Sequence, residues 1–199
     1  LSNYLPDADI KLVKRAYEYS AKAHQGQSRR SGEAFISHPL EVASNLVKLK
    51  MDETTLAAGL LHDTIEDTLS TPEEIQKLFG EEIFQLVDGV TKISKINFSS
   101  HEENQAENYR KMIFAMAKDI RVVLIKLADR AHNVQTLDSL SEERQRRIAR
   151  ETIDIYAPIA NRLGIGWLKT ELENGSFRYL FPEEYSVIKE KVARGQEYR

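Results

Sequence analysis

Residues 122–133, VVLIKLADRAHN, constrain this chain more than any other stretch. Apart from Lys126, the segment is apolar on nearly every side until Asp129. A helix without a polar stripe has to cross a core, with other elements wrapped around it. Helices are the elements the sequence offers for that wrapping. From Ile10 through Val13, Ala16 and Tyr17 to Ser20, apolar and small residues recur at helical spacing, giving a face that runs to about His24, with Asp7 as candidate N-cap. His38-Pro39 opens a second helix, since proline suits the first helical position. Asp52 can cap a third. Thr71-Pro72-Glu73-Glu74 reads as a capping box with Gly80 as its stop, and a further helix follows to about Thr91. Helices are expected again over 108–118 and 120–135, and Ser141 opens a long charged helix through Tyr156. No sustained period-2 alternation and no hairpin turn interrupts this pattern. The expected fold class is all-α.

Two loops stand out. Residues 25–37 are polar, contain glycine and carry the adjacent Arg29 and Arg30. Residues 92–107 are polar and weakly patterned, the best candidate for a mobile loop or lid.

Chemistry concentrates in residues 60–68, LLHDTIEDT, directly behind an apolar run. On a continuous helix His62 and Glu66 share a face, as do Asp63 and Asp67, each pair being four residues apart. Carboxylates clustered where a helix wants burial are costly unless a cation neutralises them, and imidazole with carboxylate is a natural donor set for a divalent metal. The alternative is a solvated acidic helix end. Asp129 emerges from the apolar helix and needs a partner: either a salt bridge to Arg130 or Arg121, or a metal shared with His62 and Asp63. His38, flanked by Phe35, Ile36 and Leu40, is the other ligand candidate, although alone it reads as a structural histidine.

Composition narrows the function classes. At 41% hydrophobic and 30% charged residues the chain is an ordinary globular protein. Its net charge of -3 argues against a general nucleic-acid binder, so an anionic substrate has to be met by local basic groups. The absence of cysteine removes disulfides, thiolate ligands and Cys nucleophiles. No apolar run reaches membrane-spanning length and no signal-peptide core is present, so a cytoplasmic location without membrane contact is expected. The first residue is Leu1 rather than Met, as expected for part of a longer protein.

His38, then His62-Asp63, then Asp129 resembles the H…HD…D pattern of HD-domain metal-dependent phosphohydrolases. The surroundings resemble a narrower group. RRSGE at 29–33, HDTIEDT at 62–68, VDGVTKI at 87–93, QAENYRKM at 105–112, KDIRVVLIKLADRAHN at 118–133 and ETIDIYAPIANRLGI at 151–165 occur in one order. Together they resemble the N-terminal hydrolase region of long Rel/Spo-type (p)ppGpp synthetase/hydrolases, over essentially the whole chain. Departures are few: Arg30 where lysine is frequent, Phe35 for tyrosine, and Ala131, Val134 and Gln135.

The resemblance implies hydrolysis of the 3′-pyrophosphate of ppGpp or pppGpp, with Mn²⁺ as the metal. It implies His38, His62, Asp63 and Asp129 as metal ligands, and Glu66 and Asp67 as the pair attending the attacking water. It also implies Arg29, Arg30, Ser31, Asn133 and Thr136 as substrate contacts. An HD-domain helical bundle over 1–140 and a smaller helical bundle over 141–199 are expected, with a synthetase domain beyond. Lys92, Lys95, Arg110 and Lys126 are further phosphate candidates that the sequence does not separate from surface charge. His24, ending a helix where an imidazolium favours the dipole, is expected to be structural, His101 to be an ordinary exposed histidine, and Trp167 to pack among Leu163, Leu168, Leu172 and Phe177. Two other readings compete: an HD phosphohydrolase for another nucleotide, disfavoured by the 29–33 loop, and a non-catalytic regulatory domain, disfavoured by the intact ligand set.

Overall fold

A computed structural model describes residues 1–94, 110, 114 and 118–197, with the side chains of the last helix described as far as residue 192. Most of the expected helix over 108–118, most of the 92–107 loop and His101, expected to be an ordinary exposed histidine, lie outside the described residues. The fold is all-α. Among the described residues there is no strand; an isolated bridge pairs Ser28 with Ala34 inside the arginine loop. No helix there is long and apolar enough to cross a membrane.

The chain divides into two compact units, Leu1–His132 and Asn133–Arg199. In the first, α1 (Ile10–Ala23), α2 (Ser37–Lys48), α3 (Glu53–Leu61) and the short α4 (Thr64–Asp67) lead into α5 (Pro72–Phe79) and α6 (Glu81–Ser94). The apolar segment forms α7 (Ile120–Gln135), whose last residues pass into the second unit. Val123, Ile125, Leu127, Ala128 and Ala131 of α7 are fully buried, as a core-crossing helix requires. α3 packs against α1, α2 and α6, and all of residues 55–61 are buried.

The helix ends follow capping chemistry. The Asp52 side chain accepts from the Thr55 amide at 2.8 Å, and the Thr71 hydroxyl from the Glu74 amide at 3.2 Å. Gly80 stops α5 with φ +88°, a backbone that disfavours a side chain. At the start of α1 the cap is Asp9 rather than Asp7, because Asp9 accepts the Leu12 amide at 3.0 Å. α6 continues through Ser94, so the start expected for the 92–107 loop is helical.

The second unit holds a 3₁₀ turn (Leu137–Ser139), α8 (Glu142–Glu151), α9 (Ala157–Arg162), α10 (Gly166–Leu180) and α11 (Pro182–Glu197). Its core includes Val134, Leu137, Ala149, Ile155, Tyr156, Leu168 and Leu172. The single helix expected over 141–156 widens instead into a π-helical turn at Thr152–Tyr156. Pro158 has no N–H to close an α-type bond onto residue 154, and the Thr152 hydroxyl donates back to the Ile148 carbonyl at 2.7 Å.

One packing contact makes a stability prediction. A Cβ on Gly89, in the middle of α6, would stand 2.8 and 3.2 Å from the two Cγ atoms of Val122 on α7. Val122 is β-branched and nearly buried, so it has little freedom to give way. Gly89→Ala gains about 1 kcal/mol of helix propensity against an overpacking cost of typically 1–3 kcal/mol. The expected net result is a destabilisation of about 1 kcal/mol, read as a lower urea midpoint with unchanged slope. A raised midpoint would show that Val122 moves aside freely.

Candidate metal centre

α3 ends at Leu61, and the end of this helix creates the site. Its last-turn carbonyls have no partners further along the helix. The His62 ring takes one of them, donating from Nδ1 to the Gly59 carbonyl at 2.8 Å, and the Thr64 hydroxyl takes the Leu61 carbonyl at 2.6 Å. The continuous helix expected through residues 62–67 is therefore broken at His62-Asp63, and α4 restarts at Thr64. The break brings adjacent side chains to one point: His62 Nε2 lies 3.1 Å from Asp63 Oδ1.

Two other helices converge there. His38, in the first turn of α2, places Nε2 at 3.3 Å from Asp63 Oδ2 and 3.2 Å from Asp129 Oδ1. Asp129, on α7, stands 3.9 Å from His62 Nε2 through the same Oδ1. All but Asp63 are at most 3% exposed. The partner of Asp129 is neither Arg130 nor Arg121 but Lys126, whose Nζ donates to Oδ2 at 2.7 Å and to the Ser94 hydroxyl at 2.9 Å. Arg121 instead bridges Asp119 and Glu82. Lys126, nearly buried on Asp129, is thus part of the centre rather than surface charge.

The electrostatics demand a cation. Burial opposes a charged His62, yet Asp63 and Asp129 outweigh it and push the imidazole up to about 10. Asp129 is likewise disfavoured as an anion by burial, and Lys126 with the two histidines holds it well below the carboxylate range all the same. His62 Nε2 is buried and makes no well-aligned hydrogen bond among the described residues, although Asp63 Oδ1 is 3.1 Å away. His38, His62 and Asp129 offer ligand atoms all within 4.8 Å of one another. With the Nδ1 of His62 committed to a carbonyl, its Nε2 lone pair faces the carboxylates, the orientation a metal-bound histidine needs. The donor set fits a divalent ion.

Around this centre the other expected residues distribute unevenly. Glu66 and Asp67 are exposed on α4 and line a cleft of about 820 Å³ together with Tyr19, Lys22, Gln27 and Glu74. Burial and then the neighbouring Asp63 raise the Asp67 carboxyl. Gln27 ties this turn to α1: its amide donates to the Asp67 carbonyl at 2.8 Å and its carbonyl meets His24 Nδ1 at 2.9 Å. His24 is buried and stacked on Phe35 with ring centroids 4.2 Å apart, so it is structural through packing rather than as an exposed helix end. Arg29 reaches inward to the ring of His132, whereas Arg30 and Ser31 are exposed on the turn held by Gly32. Asn133 and Thr136 fall in the second unit, where the Thr136 hydroxyl donates to the Asn133 carbonyl at 3.3 Å. Gly59 and His132 are not among the residues expected at the site, and Lys126 is expected only as one of several phosphate candidates. The spacing of Lys126 and His132, one helical turn on either side of Asp129, was the available signal.

Comparison with known proteins agrees with this geometry. The HD domain family matches residues 16–166. A GTP pyrophosphokinase of Myxococcus xanthus is 60% identical over 100% of this chain and 27% of its own length. The bifunctional (p)ppGpp synthase/hydrolase SpoT of Escherichia coli is 53% identical over 98% of this chain and 28% of its own. The chain thus spans little more than a quarter of these relatives. A solved structure, described as a metazoan ortholog of SpoT that hydrolyzes ppGpp, aligns with a TM-score of 0.57 at 28% identity. It covers 84% of this chain and 94% of its own.

The Lys126–Asp129 pair can be tested without substrate. Removing one partner of a buried ion pair costs roughly 3–5 kcal/mol, because the other charge is stranded. Lys126→Met is expected to lower the unfolding free energy of the metal-free protein by about 3 kcal/mol, the low end of that range because two histidines remain beside Asp129. A change under about 1 kcal/mol in denaturant titration, the worth of an exposed pair, would show that Lys126 is solvated in solution.

Proposed function

The chain belongs to the HD domain family, and within it we propose a metal-dependent hydrolase of ppGpp and pppGpp, releasing pyrophosphate from the 3′ position and leaving GDP or GTP. The observation that carries this reading is the convergence of His38, His62, Asp63 and Asp129 on one point next to the Glu66–Asp67 turn. The 53% identical relative, named a (p)ppGpp synthase/hydrolase, supports the alarmone as substrate class.

In this reading the two imidazoles and two carboxylates hold one divalent ion, Mn²⁺ by resemblance. Such an ion lowers the pKa of water and draws charge from a phosphoryl oxygen, which is what attack on a polyanionic ester requires. Glu66, exposed at the cleft, orients the attacking water and accepts its proton, and Asp67 acts with it. Arg29 supplies a permanently charged planar group beside the carboxylates, suited to phosphate or to a purine face. Arg30, Ser31, Asn133 and Thr136 complete the proposed substrate contacts. Residues 1–140 form the proposed hydrolase domain. Residues 141–199 lead towards a synthetase domain in the full-length protein, which we place in the cytoplasm, without nucleic-acid contact by this region.

Product analysis of ppGpp with and without added Mn²⁺ tests the assignment. GDP and pyrophosphate are expected only with metal; intact ppGpp in both arms would overturn it. Two variants separate the roles. Asp129→Ala should lose tight Mn²⁺ binding and the thermal stabilisation that metal confers on the native state. Glu66→Gln should retain Mn²⁺ and ppGpp while turnover falls roughly 10²–10⁴-fold, as for removal of a positioned base. Loss of metal in Glu66→Gln would make Glu66 a ligand instead.

A further inference from the structure

His38 and His62 meet the other ligands in the same way, through Nε2, but their outward nitrogens are held differently. For His62 the partner is the Gly59 carbonyl, which can only accept. For His38 it is another imidazole: Nδ1 of His38 lies 2.8 Å from Nδ1 of His132. One of these two nitrogens must carry the proton, and a third group decides which. Arg29 Nη1 sits 3.1 Å from the same His132 Nδ1. A guanidinium has only donors, so His132 Nδ1 presents its lone pair. The proton between the rings then belongs to His38, on Nδ1.

We infer that His132 is a positioning residue for the metal ligand His38: its Nδ1, placed as an acceptor 3.1 Å from Arg29 Nη1, receives the Nδ1–H of His38 and leaves Nε2 for the ion. This rests on the metal reading given above. Geometry argues against His132 as a ligand through this atom, since its Nδ1 meets the side of the His38 ring that faces away from Asp63 and Asp129. The ring centroids of His38 and His132 lie 4.9 Å apart at 42°, so the contact is edge-directed rather than stacked. A backbone carbonyl would do the same for one ring. Here the single Nδ1 lone pair of His132 is shared in a three-centre contact between His38 Nδ1 at 2.8 Å and Arg29 Nη1 at 3.1 Å, so the ligand His38 and the arginine loop meet at one anchoring atom. Orienting partners of this kind typically contribute 10–100-fold in metal affinity.

The test compares two substitutions with Mn²⁺ alone as the probe. In His132→Asn the side-chain oxygen can occupy the place of Nδ1 and accept from both His38 and Arg29; in His132→Leu no acceptor remains. Free Mn²⁺ is followed by electron paramagnetic resonance, and metal-free melting temperature is measured alongside. His132→Leu is expected to weaken Mn²⁺ binding roughly 10–100-fold, and His132→Asn to restore it to within a few-fold of wild type. Wild-type affinity in the folded His132→Leu protein, or equal losses in both variants, would overturn the inference.

A second measurement needs no variant of His132 and holds even if His132→Leu does not fold. In wild-type protein labelled with ¹⁵N-histidine, Nδ1 of His38 should carry a proton and Nδ1 of His132 should not, with His38 assigned from His38→Gln. The opposite arrangement would sink the proposal. If wild-type protein takes up no Mn²⁺ at all, the metal reading fails, while the ¹⁵N spectrum still decides the His38–His132 link.

Discussion

Everything in the first unit answers to the cost of bringing Asp63 and Asp129 together under cover. Asp129 is 3% exposed, and both carboxylates face the same two imidazole nitrogens at 3.1–3.9 Å. Two anions at that range in a poorly solvated interior repel unless positive charge stands between them. The protein supplies it through Lys126 on Asp129 Oδ2 and through the raised His62 imidazole, whose proton a divalent cation could replace. Only a rigid frame can hold such a cluster, because side chains free to turn outward would do so. The buried run at residues 55–61 and the buried face of α7 provide the frame.

Much of this was legible in the sequence, for reasons that can be named. Asp52 and Thr71 announced their helices because capping is local chemistry, settled within three residues. The segment at 122–133 announced a core crossing because so few of its positions tolerate water. The H…HD…D order announced a cluster because imidazole and carboxylate rarely recur at buried positions without a shared partner.

What stayed hidden depends on backbone groups or on tertiary choice. Nothing in the letters says that α3 stops at Leu61, because Thr64 and Ile65 would extend the helix as readily as break it. The break is settled by the carbonyls of Gly59 and Leu61 finding His62 and Thr64 instead of amides. Asp7 and Asp9 are equally good caps on paper, and only the turn preceding α1 selects Asp9. Lys126 cannot be separated from surface charge by its letters alone; its burial goes with the position of Asp129 one turn further along the same helix. His24 is expected to be structural as a helix end, and what adds to that is Phe35 of the 25–37 loop stacked across its face.

In the proposed function a chain of net charge -3 acts on a polyanion, and the charge balance at the centre is what would allow it. Asp63 and Asp129 bring two negative charges and Lys126 returns one, so the cluster stands at minus one once an ion takes the place of the His62 proton and both imidazoles are neutral. A bound divalent ion turns that into plus one, and Arg29 beside the carboxylates makes it plus two. The field that meets a phosphate is therefore set within one cluster, whatever the sum over the surface, since exposed charges beyond about 10 Å are largely screened at ordinary ionic strength. The same count explains why Lys126 holds Oδ2 instead of leaving both oxygens to the ion. Without that lysine the metal would be fully neutralised by its ligands and would have little charge left to offer a phosphoryl oxygen. In the proposed reading helix α7 thus provides a ligand, through Asp129, and adjusts the charge left on the ion, through Lys126.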